Sequence, residues 1–317
     1  MGYKNESKVY EDILNLLERG KVSTEYAVGK MIKQKQMNDN KRNPNQEDVN
    51  AMMVELDTLI GLERVKKLAR EIQAYILIQN KRREEHLAAD SLVLHMIFKG
   101  NPGTGKTTVA RLLGKILCAM GVLEKGHVVE VERADLVGGY IGHTAAKVRE
   151  QIKESLGGIM FIDEAYSLAR GGEKDFGKEA IDAMVKGMED YKDNLILILA
   201  GYKEEMENFL KTNPGLKSRF PIHIEFTDYT LDELIKIAED MVKKRQYILS
   251  LSAKAKILRI LSQKRIEDRI TSGNARLVRN IIERAIRKQA IRLKDSGSFS
   301  REDLITLKRD DITEEDH

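Results

Sequence analysis

The stretch Leu92-Val-Leu-His-Met-Ile-Phe98, followed after Lys99 by Gly100-Asn-Pro-Gly-Thr-Gly-Lys-Thr107, decides the fold. An apolar run that stops at a glycine reads as a buried strand. The next eight residues fit G-x-x-x-x-G-K-[ST], a loop whose glycines allow a tight turn and aim several N–H groups at phosphate oxygens. Gly105 opens a helix expected over Lys106–Met120, whose N-terminal dipole favours anions. The expected cradle is Asn101, Pro102, Gly103, Thr104, Gly105, Lys106, Thr107 and Thr108. Lys106 would reach the β- and γ-phosphates of ATP and the Thr107 hydroxyl would ligate Mg²⁺. An accidental glycine-rich turn is the plain alternative, and the strand–loop–helix context argues against it.

Working outward, short apolar runs alternate with segments of helical spacing. The runs are Val128–Val131, Ile159–Ile162, Leu195–Ala200 and Ile222–Phe226, and the helical segments include Ala145–Ser155 and Lys178–Tyr191. This alternation predicts a parallel sheet with helices on both faces, since strands buried on both sides read as continuous apolar runs. Ile159-Met-Phe-Ile-Asp163-Glu164 ends in two acids at the strand edge where ligands gather. Asp163 there can hold the Mg²⁺ shell, and Glu164, pointing elsewhere by strand alternation, can polarise an attacking water. An acid pair alone could simply cap a helix; with the phosphate loop it implies a nucleoside-triphosphate hydrolase. Asp175-Phe-Gly177 matches the kinase metal-binding triplet, but no H-R-D loop accompanies it, so residues 169–177 are read as a flexible loop.

Past Phe226 helices are expected over 231–247, 252–263 and 275–293, with Thr230 and Glu233 forming a capping box. Before residue 51, Val9, Ile13, Leu16 and Leu17 share one helical face and Ala27, Val28, Met31 and Ile32 a second, ahead of a polar linker at 38–50. The expected domains are therefore an N-terminal helical appendage and linker (1–50), an α/β nucleotide-binding domain (51–228), an α-helical lid (229–310) and an acidic tail (311–317). The single cysteine, Cys118, excludes an intramolecular disulfide framework and a cysteine-cluster zinc site. No apolar run approaches a membrane span and Met1-Gly2 leads into no signal-peptide core, so a cytoplasmic protein without membrane insertion is expected.

The chain has 317 residues and a formal net charge of +4. That near-neutral figure is an average: residues 236–309 hold 20 Lys plus Arg against 8 Asp plus Glu, while 310–317 hold five acids. The basic helices would present solvated faces or meet acidic surface on a neighbour or client, with nucleic acid the less favoured partner.

By these residues the chain resembles the AAA+ ATPases, and within them the CbbX and stage V sporulation protein K family, leaning to its sporulation branch. The resemblance covers about residues 51–310. It rests on Asp57-Thr-Leu-Ile-Gly-Leu62, Gly100–Thr108, Gly139-Tyr-Ile-Gly142, Phe161-Ile-Asp-Glu-Ala-Tyr-Ser167, Leu199-Ala-Gly-Tyr202, Pro214-Gly-Leu-Lys-Ser-Arg-Phe220 and Gly273-Asn-Ala-Arg276. It implies a P-loop AAA+ module with a five-stranded parallel sheet, a small helical lid and a hexameric ring of identical subunits. By resemblance Arg219 reaches the neighbouring subunit's γ-phosphate, a role suited to a planar, permanently charged fork. Arg276 is likened to the lid arginine that senses the γ-phosphate, with Arg279 the weaker candidate, and Ile60 and Gly61 lie where the family packs adenine.

Many AAA+ proteins end the fourth strand with Asn or Thr to orient water; here Tyr202 stands there, with a hydroxyl at about the right place. Tyr140, Ile141 and Gly142 match the aromatic–hydrophobic–glycine loop that lines the pore of AAA+ protein remodelers, where an aromatic can grip a polypeptide without regard to sequence. The expected function is an ATP-driven ring remodeling or threading an unidentified protein client, with a role in sporulation implied by resemblance. The alternatives are a CbbX-like activator of a carbon-fixing enzyme, a nucleic-acid loader and a nucleotide-switched scaffold.

Overall fold

The computed structural model describes residues 46–89, 92–140, 142–170, 175–266, 273–297 and 300–313. The two N-terminal helical faces, the linker up to residue 45, Ile141, positions 171–174 and the tail from 314 lie outside the described residues.

Five strands form one parallel sheet: β1 (Met96–Gly100), β2 (Val128–Val131), β3 (Gly158–Ile162), β4 (Leu195–Gly201) and β5 (Ile222–Phe226), in the order β2-β3-β4-β1-β5. Parallel neighbours need a crossover, and the helical segments of the sequence supply it. Strand alternation sorts the side chains into two cores. Met96 and Phe98 join α1 (Gln46–Thr58), α2 (Glu63–Glu84) and α3 (Lys106–Ala119) on one face. Ile97 joins α4 (Arg133–Leu136), α5 (His143–Ser155), the 3₁₀ turn Ala165–Ala169, α6 (Gly177–Asp190), α7 (Lys203–Thr212) and α8 (Pro214–Arg219) on the other. Phe98 is wholly buried and packs on Phe226 at 4.9 Å and on Phe161 at 6.4 Å between ring centres. Each such side chain contributes about 1.5–3 kcal/mol by leaving water, so β1, between β4 and β5, is a strong anchor of the sheet.

The second unit follows β5. It comprises α9 (Leu231–Lys244), β6 (Ile248–Leu249), α10 (Leu251–Ile266), α11 (Asn274–Ser296), α12 (Arg301–Ile305), β7 (Thr306–Leu307) and a 3₁₀ turn at Arg309–Asp311. Thr230 and Glu233 form the expected capping box at the start of α9. Leu234, Ala238, Ile257, Ile260, Val278 and Ile282 build its core.

Four boundaries differ from the sequence reading. β1 begins at Met96 because Leu92 and Val93 stay partly exposed ahead of the ladder. The polar residues 46–50 belong to α1, where Glu47 and Asp48 sit at the positive end of the helix dipole and Val49 is buried. The lid is not purely helical, since β6 and β7 pair in parallel. Nor does it end at residue 310. The Asp311 side chain is buried and accepts from Arg292 Nε at 2.8 Å and Nη2 at 2.9 Å, and Ile312 is fully buried beside it.

Residues 175–177 are ordered rather than loose. Asp175 Oδ1 accepts from Gly177 N at 2.6 Å at the start of α6, and its other oxygen pairs with Arg133 at 2.5 Å. No helix among the described residues is long and apolar enough to cross a membrane.

His95, just ahead of β1, is buried, and its Nδ1 accepts from Leu197 N at 3.1 Å. Burial pushes its imidazole down to about 4. The unfolded chain therefore takes up a proton between the ordinary value of 6.5 and about 4 that the folded chain refuses. Stability present above pH 6.5 should be lost as pH falls through this window, by roughly 3 kcal/mol at most. Thermal melts of the wild type and of His95→Gln, which keeps an acceptor for Leu197, should diverge there, the variant showing the flatter profile.

Candidate functional site

β1 stops at Gly100, where a Cβ would lie 2.4 Å from the Phe226 carbonyl oxygen, so only glycine fits. The loop then turns through Gly103 and Gly105, at φ +71° and +98°, in the region that favours glycine. Thr104 Oγ1 donates to Asn101 O at 2.7 Å and is buried, which fixes the loop from inside. Lys106 Nζ donates back to Gly100 O at 2.8 Å and Asn101 O at 2.9 Å, laying the ammonium along the loop. Burial holds this ammonium below the usual lysine range, Asp163 pulls it back up, and the Arg276 guanidinium lowers it again. An entering anion would offset both lowering influences by its own attraction for the ammonium.

The parallel sheet brings the ends of β3 and β4 to the same edge. Asp163 and Glu164 follow β3, and Tyr202 follows β4 as the residue preceding α7. Glu164 was expected to point away from Asp163 by strand alternation. Instead its backbone is left-handed, at φ +46°, and both acids face one cleft. Asp163 Oδ1 accepts from Glu164 N at 3.0 Å, which steadies that turn.

The cleft has a volume of about 230 Å³. Pro102, Gly103, Gly105, Lys106, Thr107, Thr108, Asp163, Glu164, Gly201, Tyr202, Ala275, Arg276 and Arg279 line it. Tyr202 stacks obliquely on Tyr166 at 5.9 Å, and the Arg170 guanidinium lies 4.6 Å from the centre of the Tyr166 ring. Arg276 reaches the cleft from the first turn of α11 and Arg279 from the next. Backbone contact holds the first turn to the loop: Ala275 N donates to Gly103 O at 3.1 Å.

Other expected residues lie outside the cleft lining. Asn101 points to Asp228, donating from Nδ2 to both carboxylate oxygens at 3.0 Å. Gly61, at φ +66°, packs near Tyr229 and Glu233, at the start of the lid, and Ile60 precedes it half-buried. Tyr229 in turn donates from its hydroxyl to Thr104 O at 3.1 Å, so this junction touches the loop from behind.

Arg219, at the end of α8, is held within its own chain. Its Nε and Nη2 donate to Glu189 Oε1 at 3.1 and 2.8 Å, and Nη1 donates to Gly215 O at 3.1 Å. Tyr140 is 73% exposed, with its ring edge-on to His143 at 5.6 Å. Gly142, at φ +82°, opens α5, and neither it nor Gly139 has a neighbour where a Cβ would stand. Gly138 is different, being closely enclosed. A Cβ there would lie 2.6 Å from His143 Cβ, and its N–H donates to Thr144 Oγ1 at 3.0 Å.

Sequence reasoning missed Asp228, Asn274 and Glu189. Asn274 stands inside a recognised motif, but its buried bonding to Asp228, 46 positions away, leaves no local pattern.

A glycine loop with a half-buried lysine, an acid pair at a nearby strand end and two arginines from a capping unit define a P-loop nucleoside triphosphatase. Residues 96–228 match the family described as "ATPase family associated with various cellular activities (AAA)", and residues 230–317 match the AAA lid domain. The chain is 55% identical over 260 residues to stage V sporulation protein K of Bacillus subtilis, covering 82% of this chain and 81% of that protein. It is 44% identical over 265 residues to protein CbbX of Cereibacter sphaeroides, covering 82% and 85%. It is 43% identical over 271 residues to the ribulose bisphosphate carboxylase/oxygenase activase of Cyanidioschyzon merolae, covering 84% and 92%. In fold it is similar to the FIGL-1 AAA domain solved in complex with ADP, with a TM-score of 0.53 at 16% identity over 80% of each chain. The chain belongs to the AAA ATPases, in the family that contains CbbX and stage V sporulation protein K, and it is an ATP-binding ATPase.

Proposed function

We propose that copies of this chain assemble into a hexameric ring that hydrolyses Mg²⁺-ATP at its subunit boundaries and remodels or threads a protein client, with a role in sporulation. One observation carries the proposal. Lys106, Thr107, Asp163, Glu164 and Arg276 gather on one cleft, while Arg219 is turned to Glu189 and does not line it. An arginine built for phosphate but placed away from its own cleft suits the cleft of an adjacent copy.

In this reading residues 46–228 bind nucleotide and 229–312 form the lid. Loop N–H groups and Lys106 hold the β- and γ-phosphates, and Ile60 and Gly61 border the adenine. The Thr107 hydroxyl and the Asp163 carboxylate fit Mg²⁺, being hard oxygen donors on one cleft that leave further positions to phosphate and water. The bound ion supplies neutralisation of phosphate charge. Glu164 takes the proton of the attacking water, the Tyr202 hydroxyl orients that water, and Arg276 meets the γ-phosphate from the lid. The exposed Tyr140, flanked by glycines with open space around them, is the client-gripping residue of the pore, together with Ile141 and Gly142. An aromatic grip of this kind favours a polypeptide client over nucleic acid.

Glu164→Gln should bind ATP and retain the assembled ring while turning over about 10²–10⁴-fold more slowly. Phosphate release and solution mass measure this, and near-normal turnover refutes the assignment of the base. Arg219→Ala should lower turnover by about 10³–10⁵-fold. Mixing it with Lys106→Ala subunits, which keep the arginine, should restore activity; a mixture as dead as its parts would rule out a finger acting between subunits. Tyr140→Ala should leave basal turnover within about twofold but abolish stimulation by an unfolded polypeptide such as casein. Stimulation equal to wild type would remove Tyr140 from the pore.

A further inference from the structure

Asn274, the first residue of α11, is completely buried and sits at φ +40°, a left-handed conformation that Asn tolerates better than most residues. Its side chain is committed at both ends. Nδ2 donates to Asp228 Oδ1 at 2.7 Å and towards Pro102 O at 3.4 Å, and Oδ1 accepts from Tyr229 N at 3.0 Å. Asp228 also accepts from Asn101. A single carboxylate therefore bonds both the phosphate loop and the start of the lid helix.

The fit around this bond is close. A Cβ on Gly103 would meet Gly273 O at 2.3 Å and Arg276 N at 2.9 Å, so the loop glycine and the helix start are in direct contact. Arg276 lies two positions after Asn274, in the same helical turn, and lines the cleft. A change in the angle of that turn would swing the guanidinium across the phosphate position.

We propose that Asn274 and Asp228 are positioning residues for Arg276, setting the lid helix against the phosphate loop so that the guanidinium meets the γ-phosphate. The proposal rests on the reading of Arg276 as a phosphate-contacting residue. The pair joins three segments that all bear on nucleotide: the loop at Asn101 and Pro102, the junction at Asp228 and Tyr229, and the first turn of α11. A carboxylate answers the amide donors of both Asn101 and Asn274, so removing its charge or facing it with another acid acts on both segments together. The loop and the lid start thus move as one body, and whatever shifts the loop shifts Arg276.

The test compares full-length wild type, Arg276→Ala, Asn274→Asp, the double variant Arg276→Ala/Asn274→Asp, and the exchange Asn274→Asp/Asp228→Asn, by ATP turnover, ATP titration and thermal melting. Asn274→Asp sets two carboxylates against each other and should lower kcat about tenfold or more, to the level of Arg276→Ala, with a smaller change in KM. Adding Asn274→Asp to Arg276→Ala should cost nothing further, as expected of residues acting through one group. The exchange should restore kcat to within about threefold of wild type. In it the amide introduced at 228 donates to the carboxylate introduced at 274, which still accepts from Tyr229 N.

An Asn274→Asp protein that melts lower but keeps wild-type kcat overturns the proposal, as does an exchange that recovers the melting temperature without the kcat. If Arg276→Ala itself keeps full turnover, the reading of Arg276 fails and the proposal falls with it. If Arg276→Ala is impaired and Asn274→Asp is not, only the positioning role fails.

Discussion

A cation placed inside a protein must be answered by nearby oxygens, and the Lys106 ammonium sets the terms for everything around it. Two carbonyls of its own loop, Gly100 O and Asn101 O, take its protons, and Asp163 supplies the largest opposing charge. Asp163 can do so only because β3 lies two strands from β1 with β4 between, all parallel, so their C-terminal ends open on one edge. Strand order is therefore an electrostatic requirement as well as a packing result. The continuous apolar strands that bury both faces of the sheet exist in order that one edge can hold unneutralised charge.

The same edge concentrates backbone strain. Among the described residues, Leu62, His86, Glu164, Gln246 and Asn274 are the non-glycines at positive φ. Glu164 lines the cleft, Asn274 ties the lid to the loop, and Leu62 lies beside Gly105. Conformations of this kind cost of order 1–3 kcal/mol each and persist where surrounding contacts over-determine them. At Glu164 the left-handed turn has a visible result: it cancels the strand alternation that would have separated the two acids. At Asn274 the side-chain bonds to Asp228 and Tyr229 supply the over-determination.

Much of this was legible in the sequence, for identifiable reasons. Strands buried on both faces announce themselves as runs such as Ile159–Ile162, and the phosphate loop carries its own pattern. What escaped was set by contacts distant in sequence or by backbone that departs from regularity. Leu92 and Val93 are as apolar as a strand, yet they lie ahead of the ladder. Residues 46–50 are polar and still helical, because one buried valine and two favourably placed acids suffice for a first turn. Asp311 reads as part of an acidic tail until Arg292 is found across from it. Roles assigned to Arg219 and Arg276 came from family resemblance. The local sequence around each would equally have suited a surface ion pair, which is what Arg219 makes with Glu189 inside its own chain.

The basic charge of the lid gains a direction from these contacts. Pairs such as Arg245 with Glu283 and Lys254 with Glu239 are exposed on both sides and contribute little to stability. The lid core of Leu, Ile and Val holds the unit together, and of the lid cations among the described residues Arg276 and Arg279 line the cleft. There Arg276 lowers the proton affinity of Lys106, so the two cations repel each other. Asp228, which raises Lys106 in the same balance, offsets part of that repulsion. A triphosphate reverses the sign by interposing negative charge between lysine and arginine. The two cations, brought to one cleft by the phosphate loop and the lid helix, thus make the space between them suited to an anion.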